Sequence, residues 1–148
     1  MSDTIIKIIP ADPCFRITEH KAQELVEFLK SRIAADSIKA MLHESPVFVD
    51  CGGNLKRILC PFCKSALGFD WWGQAMNAAY EHSFENLSVT LPCCGRKSSL
   101  NDLRYDFPCG FSIVEFSILN PRNELKKDCF DALQELLGTS VREIHAHI

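Results

Sequence analysis

An α+β fold built in three pieces is predicted from two observations. A strand, Pro-containing turn, helix and strand occur over residues 4–43, and the same succession recurs over 111–148. Between them, residues 54–110 carry cysteines in close pairs and few long apolar runs. Two βαβ units with right-handed crossovers build one sheet with both helices on a single face, a split-βαβ, ferredoxin-like arrangement. The expected organisation is a first βαβ unit plus a short strand at 1–53, an insertion at 54–110, and a second βαβ unit at 111–148.

Each element has a local reason. Thr4 to Pro10 is β-branched, short and bounded by Pro10 and Pro13, which reads as a strand. Thr18 opens a helix in which Ala22, Leu25, Val26, Leu29 and Ile33 recur at helical spacing. Lys21 is a poor capping-box partner for Thr18, whereas Glu19 suits the positive helix end. Ser37 to His43 alternates like a half-buried strand; Ser45-Pro46 should break it, with a separate short strand over 46–50. Leu55 to Leu59 and Leu87 to Leu91 read as strands leading into the cysteine pairs, and Ser98 to Leu103 returns from the second. Asp70 to Glu81 reads as a helix with Asp70 as N-cap. Phe111 to Leu119 alternates as a strand, Asn120-Pro121 turns the chain, and a helix over Glu124–Leu137 ends at Gly138. Val141 to Ile148 alternates as a last strand.

Composition limits the function classes. The chain has 148 residues, 47% hydrophobic and 24% charged, which suffices for a core without metal. A net charge of −3 gives no general attraction to polyanions. No apolar run reaches the length of about 18 residues that a membrane span needs. The N-terminus, Met1 to Lys7, has no signal-peptide pattern. Eight cysteines would suit a disulfide scaffold, but their clustering in a chain without an export signal favours metal-bound thiolates in a reducing cytoplasm.

The chemistry concentrates at Cys60-Pro61-Phe62-Cys63 and Leu91-Pro92-Cys93-Cys94-Gly95. A Cys-x-x-Cys turn puts two sulfurs on one side of a metal, with backbone N–H groups aimed at them. A second cluster must close the tetrahedron that structural Zn²⁺ favours. The second cluster has the form of a Cys-Pro-x-Cys-Gly knuckle with Leu91 in place of its first Cys. Adjacent Cys93 and Cys94 can both bind if the turn splays them; otherwise Cys109, Cys51 or His82 replaces one. Buried, inert thiols are the plainer alternative. A redox Cys-x-x-Cys needs a strand-to-helix setting, and the short Lys64–Gly68 turn looks more like a ribbon knuckle. Residues 54–110 therefore read as a zinc-ribbon-like insertion.

Phe48-Val49-Asp50-Cys51-Gly52, Cys60-Pro61-x-Cys63, Pro92-Cys93-Cys94-Gly95 and Ser99-Leu100-Asn101-Asp102-Leu103-Arg104-Tyr105 together resemble an uncharacterised family of bacterial zinc-ribbon-like proteins. The resemblance spans roughly residues 46–121. It implies a metal site and a bacterial, intracellular setting, and it carries no established activity.

Three functions compete. The first is a protein-interaction module. Trp71 and Trp72 are neighbours on a helix, about 100° apart, so both cannot face one small core, and Trp is a frequent interface anchor. The alternative is that Trp72 packs on the sheet and Trp71 covers the knuckle. The second is nucleic-acid binding through Lys56, Arg57, Lys64, Arg96 and Lys97, each within four residues of a proposed ligand. Yet residues 54–110 hold six Lys and Arg against five Asp and Glu. A thiolate cluster would reverse that small excess, and the cations then serve to offset it. The third is catalysis. A four-Cys zinc site leaves no open coordination position, and no Gly-rich phosphate loop or nucleophile elbow occurs. His145 and His147 share a strand face but are accounted for as surface residues. Asn101 and Asp102 fit turn positions. The expectation is a non-enzymatic, cytoplasmic protein with a structural Zn²⁺ and a protein partner.

Overall fold

The computed structural model describes residues 3–147. Met1, Ser2 and the final Ile148 of the expected last strand lie outside the described residues.

The class is α+β. Strands β1 (Thr4–Pro10), β2 (Ser37–Val49), β8 (Gly110–Leu119) and β9 (Val141–His147) form one sheet, with α1 (Glu19–Arg32) and α3 (Lys127–Leu137) in the connections. The strand order is β2-β8-β1-β9 and every neighbouring pair is antiparallel. The two units are thus interleaved: β8 of the second lies between β1 and β2 of the first. Strands alternate faces, and this sheet buries both. Ile6, Ile8, Phe116 and Ile118 pack with Leu25, Val26 and Leu29 of α1 and Leu133 and Leu137 of α3. On the opposite face, Ile9, Phe111 and Ile144 join Ile58, Leu67, Leu91 and Leu100 of the intervening segment. The result is three layers: helices, sheet and cysteine-bearing module.

That module consists of β3 (Ile58–Leu59), β4 (Ala66–Leu67), α2 (Phe69–Tyr80), β5 (Ser88–Thr90), β6 (Lys97–Ser99) and β7 (Arg104–Tyr105). Strands β4-β3-β7 form a small sheet and β5-β6 a hairpin. Asn101 fastens the module to the main sheet. Its side chain is buried, its Nδ2 donates to the Ala11 carbonyl at 3.1 Å, and its Oδ1 accepts the Phe111 N–H at 2.9 Å. Arg142 on β9 adds a donor to the Asn101 carbonyl at 3.1 Å and to the Cys109 carbonyl at 2.6 Å.

Four expectations need correction. Strand β2 runs through Ser45-Pro46 as one element, because it is an edge strand whose register shifts between Leu42 and Val47, and Pro is tolerated at edges and bulges. The strand entering the first knuckle is only Ile58–Leu59. Helix α2 begins at Phe69 with Gly68 as N-cap, so Asp70 sits in the first turn and acts through its charge rather than as a cap. Helix α3 starts at Lys127, not at Glu124, and Gly138 closes it at φ 85°. Thr18 caps α1 by accepting the Lys21 N–H at 3.1 Å, with no help from the Lys21 side chain.

Candidate metal centre

The two cysteine turns adopt the same backbone. In the first, the Cys60 N–H donates to the Ser65 carbonyl at 2.9 Å and the Lys64 N–H to the Cys60 carbonyl at 3.1 Å. In the second, the Leu91 N–H donates to the Arg96 carbonyl at 2.9 Å and the Gly95 N–H to the Leu91 carbonyl at 2.9 Å. Both turns end in the left-handed region, Lys64 at φ 63° and Gly95 at φ 73°. Superposed by these bonds, Leu91 stands where Cys60 stands and Cys94 where Cys63 stands, while Cys93 takes the place of Phe62. Leu91 and Cys60 are both fully buried. Leu91 anchors its turn by packing and has no sulfur to offer. The fourth sulfur of the cluster comes from the next-but-one position, Cys93.

The four sulfurs of Cys60, Cys63, Cys93 and Cys94 lie within 4.8 Å of one another. Cys63 and Cys93 are 3.4 Å apart, and Cys60 and Cys94 3.9 Å apart. An ion bound tetrahedrally at about 2.3 Å from each thiolate separates the sulfurs by about 3.8 Å. The cluster has the composition and spacing to hold a metal ion. Cys109 and Cys51 are not in it: their sulfurs are 3.2 Å from each other, in the interior. His82 is exposed and also lies outside the cluster.

The electrostatics fit a cation. The Ser65 hydroxyl, 3.3 Å from the Cys63 sulfur, and the Ser65 N–H bring the Cys63 thiol down to about 6. Burial opposes ionisation of Cys60, but the Cys63 and Phe62 N–H groups, at 3.5 and 3.4 Å, outweigh it and lower its pKa. Cys93 goes the other way, pushed up to about 12 first by desolvation and then by the sulfurs of Cys63, Cys60 and Cys94. Crowded thiols cannot all ionise together unless a positive charge joins them.

The two Trp rings have different surroundings. Trp72 is half-buried; its ring meets Phe48, Phe69 and Tyr105 at centroid distances of 5.7, 6.3 and 6.3 Å, and its Nε1 donates to the Tyr105 hydroxyl at 3.2 Å. Trp71 is half-buried too and packs against the same core, but without an aromatic partner among the described residues; it lines an open cleft of about 290 Å³ with Gln74, Ala75, Val89 and Thr90. Four exposed aromatics went unnoticed in the sequence: Tyr80, 71% exposed, and Phe62 at the tip of the first knuckle, Phe69 and Phe107, each nearly half exposed. Phe62 had a signal. In a Cys-x-x-Cys turn whose N–H groups point at the sulfurs, the residue between them faces outward.

The five basic residues are all exposed. Arg57 is paired with Asp106 at 3.2 Å, and the Arg96 guanidinium lies over the Phe62 ring at 5.1 Å. No contact of 4 Å or less to an acidic side chain involves Lys56, Lys64 or Lys97 among the described residues. His145 bonds Glu143 at 2.7 Å, and the His147 backbone bridges Gly52. No helix among the described residues is long and apolar enough to cross a membrane. No family model, curated protein or solved structure matches the chain.

Proposed function

We propose that this chain is a non-enzymatic zinc protein in which Cys60, Cys63, Cys93 and Cys94 hold a structural Zn²⁺ and the surrounding module docks a protein partner. The four-thiol cluster carries the reading. Thiolate-only tetrahedra suit zinc, and with four protein sulfurs the ion has no position left for water or substrate. Zinc would neutralise the sulfur that holds its proton most tightly, Cys93, and join two turns that share few other bonds. The motif resemblance to bacterial zinc-ribbon-like proteins supports the same assignment and a cytoplasmic setting.

The partner surface is the aromatic face of Trp71, Phe62 and Phe69 beside the cleft over β5. Phe62 and Phe69 are exposed and Trp71 is half-buried at the cleft, and aromatic rings at a surface are frequent interface anchors. One feature favours a nucleic-acid partner instead: the Arg96–Phe62 stack sits between exposed Lys64 and Lys97, and cation and ring together can hold a single strand. The pairing of Arg57 with Asp106 and the small charge excess of the module favour protein.

Elemental analysis of protein purified without added metal tests the first half, with one zinc per chain expected. A metal-free, fully folded protein would falsify it. For the second half, Trp71→Ala should lower the unfolding midpoint less than Trp72→Ala does and lose a partner captured from the native cell by both the wild type and Trp72→Phe. Binding to DNA or RNA that collapses with added salt, and that Lys64→Glu abolishes, would replace the protein-partner reading.

A further inference from the structure

Four cysteines, Cys14, Cys51, Cys109 and Cys129, lie outside the metal cluster, and two of them face each other in the interior. Cys51 and Cys109 are 0% and 1% exposed, and their sulfurs are 3.2 Å apart. They occupy the stem of the module. The last ladder pair of β2 and β8 is Val49 with Gly110. Cys51 lies two residues beyond it on the outgoing chain, and Cys109 one residue before it on the returning chain.

Both backbones are held there independently of the sulfurs. The Gly52 N–H donates to Asp50 Oδ1 at 2.8 Å and the Gly53 N–H to the His147 carbonyl at 3.1 Å. On the other side the Cys109 carbonyl takes the Arg142 donor at 2.6 Å. A disulfide needs sulfurs about 2.05 Å apart, so a small turn of two side chains closes the distance. A second metal site does not fit, because the only cluster of metal-ligating atoms among the described residues is the four-thiol one, and two thiols alone do not make a zinc site.

We propose that Cys51 and Cys109 are a modification site: a reversible disulfide that staples the stem of the metal module. The oxidant is a small disulfide of the glutathione class. The thiolate of one cysteine attacks glutathione disulfide, forming a mixed disulfide and releasing one glutathione thiolate. The second cysteine then displaces the second glutathione. The protein gives up two electrons and two protons, and two glutathione thiols leave. Because both sulfurs are covered, the exchange waits on local opening of the stem and is slow in each direction. The bond encloses residues 51–109 in a covalent ring that contains all four metal thiols.

The test uses the full-length, zinc-loaded protein, incubated reduced and then with excess glutathione disulfide, denatured, alkylated and digested without reductant. The expected product is a peptide containing Cys51 joined to one containing Cys109, two hydrogens lighter than their sum, with the four metal cysteines alkylated. Exposed Cys14 serves as the internal control for oxidation. If Cys14 carries glutathione to completion while Cys51 and Cys109 are both recovered alkylated, the proposal is wrong. It is equally wrong if Cys51 links to any other cysteine. The oxidised form should also melt about 5 °C or more above the reduced form, a shift absent in Cys109→Ala. Should that variant not fold, the wild-type peptide map still decides.

Discussion

Replacing Trp72 by Ala tests the assignment of the Trp pair most directly. The indole makes three aromatic contacts, with Phe48, Phe69 and Tyr105. Such pairs contribute about 0.5–1.5 kcal/mol each beyond area burial. It also donates to the Tyr105 hydroxyl, which in turn donates to the Leu100 carbonyl at 2.6 Å. Truncating a core aromatic to Ala costs about 3–5 kcal/mol. Trp72 is only half-buried, so the lower end applies, about 3 kcal/mol. Trp72→Phe keeps most ring contacts and loses one hydrogen bond, for about 1 kcal/mol. Urea unfolding of zinc-loaded protein, followed by far-UV circular dichroism, reads both. Because the Tyr105 hydroxyl keeps its Leu100 acceptor in either variant, the order wild type, Trp72→Phe, Trp72→Ala should hold. A Trp72→Ala loss below about 0.5 kcal/mol, or a Trp71→Ala loss as large, would refute the division of roles.

Other expectations follow from the same geometry. Metal binding requires deprotonated sulfurs, so zinc should leave as pH falls and return on neutralisation, measurable with a chromogenic zinc chelator. Burial pushes the Tyr105 phenol above its ordinary value of 10.0; the folded chain keeps a proton that the unfolded chain gives up. Stability is therefore intact below about pH 10 and declines above it, and Tyr105→Phe should flatten that decline in urea midpoints. Lys64 holds φ 63°, a conformation that costs a non-Gly residue about 1–2 kcal/mol. Lys64→Gly should then stabilise by up to about 1 kcal/mol after the entropy of Gly is counted, whereas Gly95→Ala, at φ 73° with nothing within 4 Å of an added Cβ, should destabilise by about as much. After chelation, fast hydrogen exchange should be confined to roughly 54–110; equal loss at Ile5–Ile9 and Phe111–Leu119 would contradict a separable module.

Periodicity and spacing carried much of this fold. Apolar residues at helical spacing located α1, alternation located β8 and β9, and the paired cysteines singled out four sulfurs that do lie together. Features that depend on distant partners were not legible. Pro46 looked like a strand break because the local rule cannot know that β2 is an edge with a shifted register. Asn101 does sit in a turn, as expected, but its further role was hidden: its side chain bonds Ala11 and Phe111, which only the completed sheet brings near it. Cys109 and Cys51 stayed in contention as ligands because sequence distance says nothing about which sulfur meets which. Phe69 and Phe107 gave no sign that they would be exposed, since apolar residues are ordinarily counted toward a core.

The equivalence of the two cysteine turns has a kinetic side. In the first turn, backbone N–H groups already point at Cys60, so its sulfurs stand ready before any ion arrives. In the second, Leu91 takes the place of that cysteine, and the neighbours of the Cys93 sulfur are the thiols of Cys63, Cys60 and Cys94. Cys60 and Cys63 would offer an ion two oriented sulfurs, and Cys93, which holds its proton most tightly of the four, would have to give that proton up to complete the set with Cys94. As pH falls, Cys93 would be the first of the four to take its proton back.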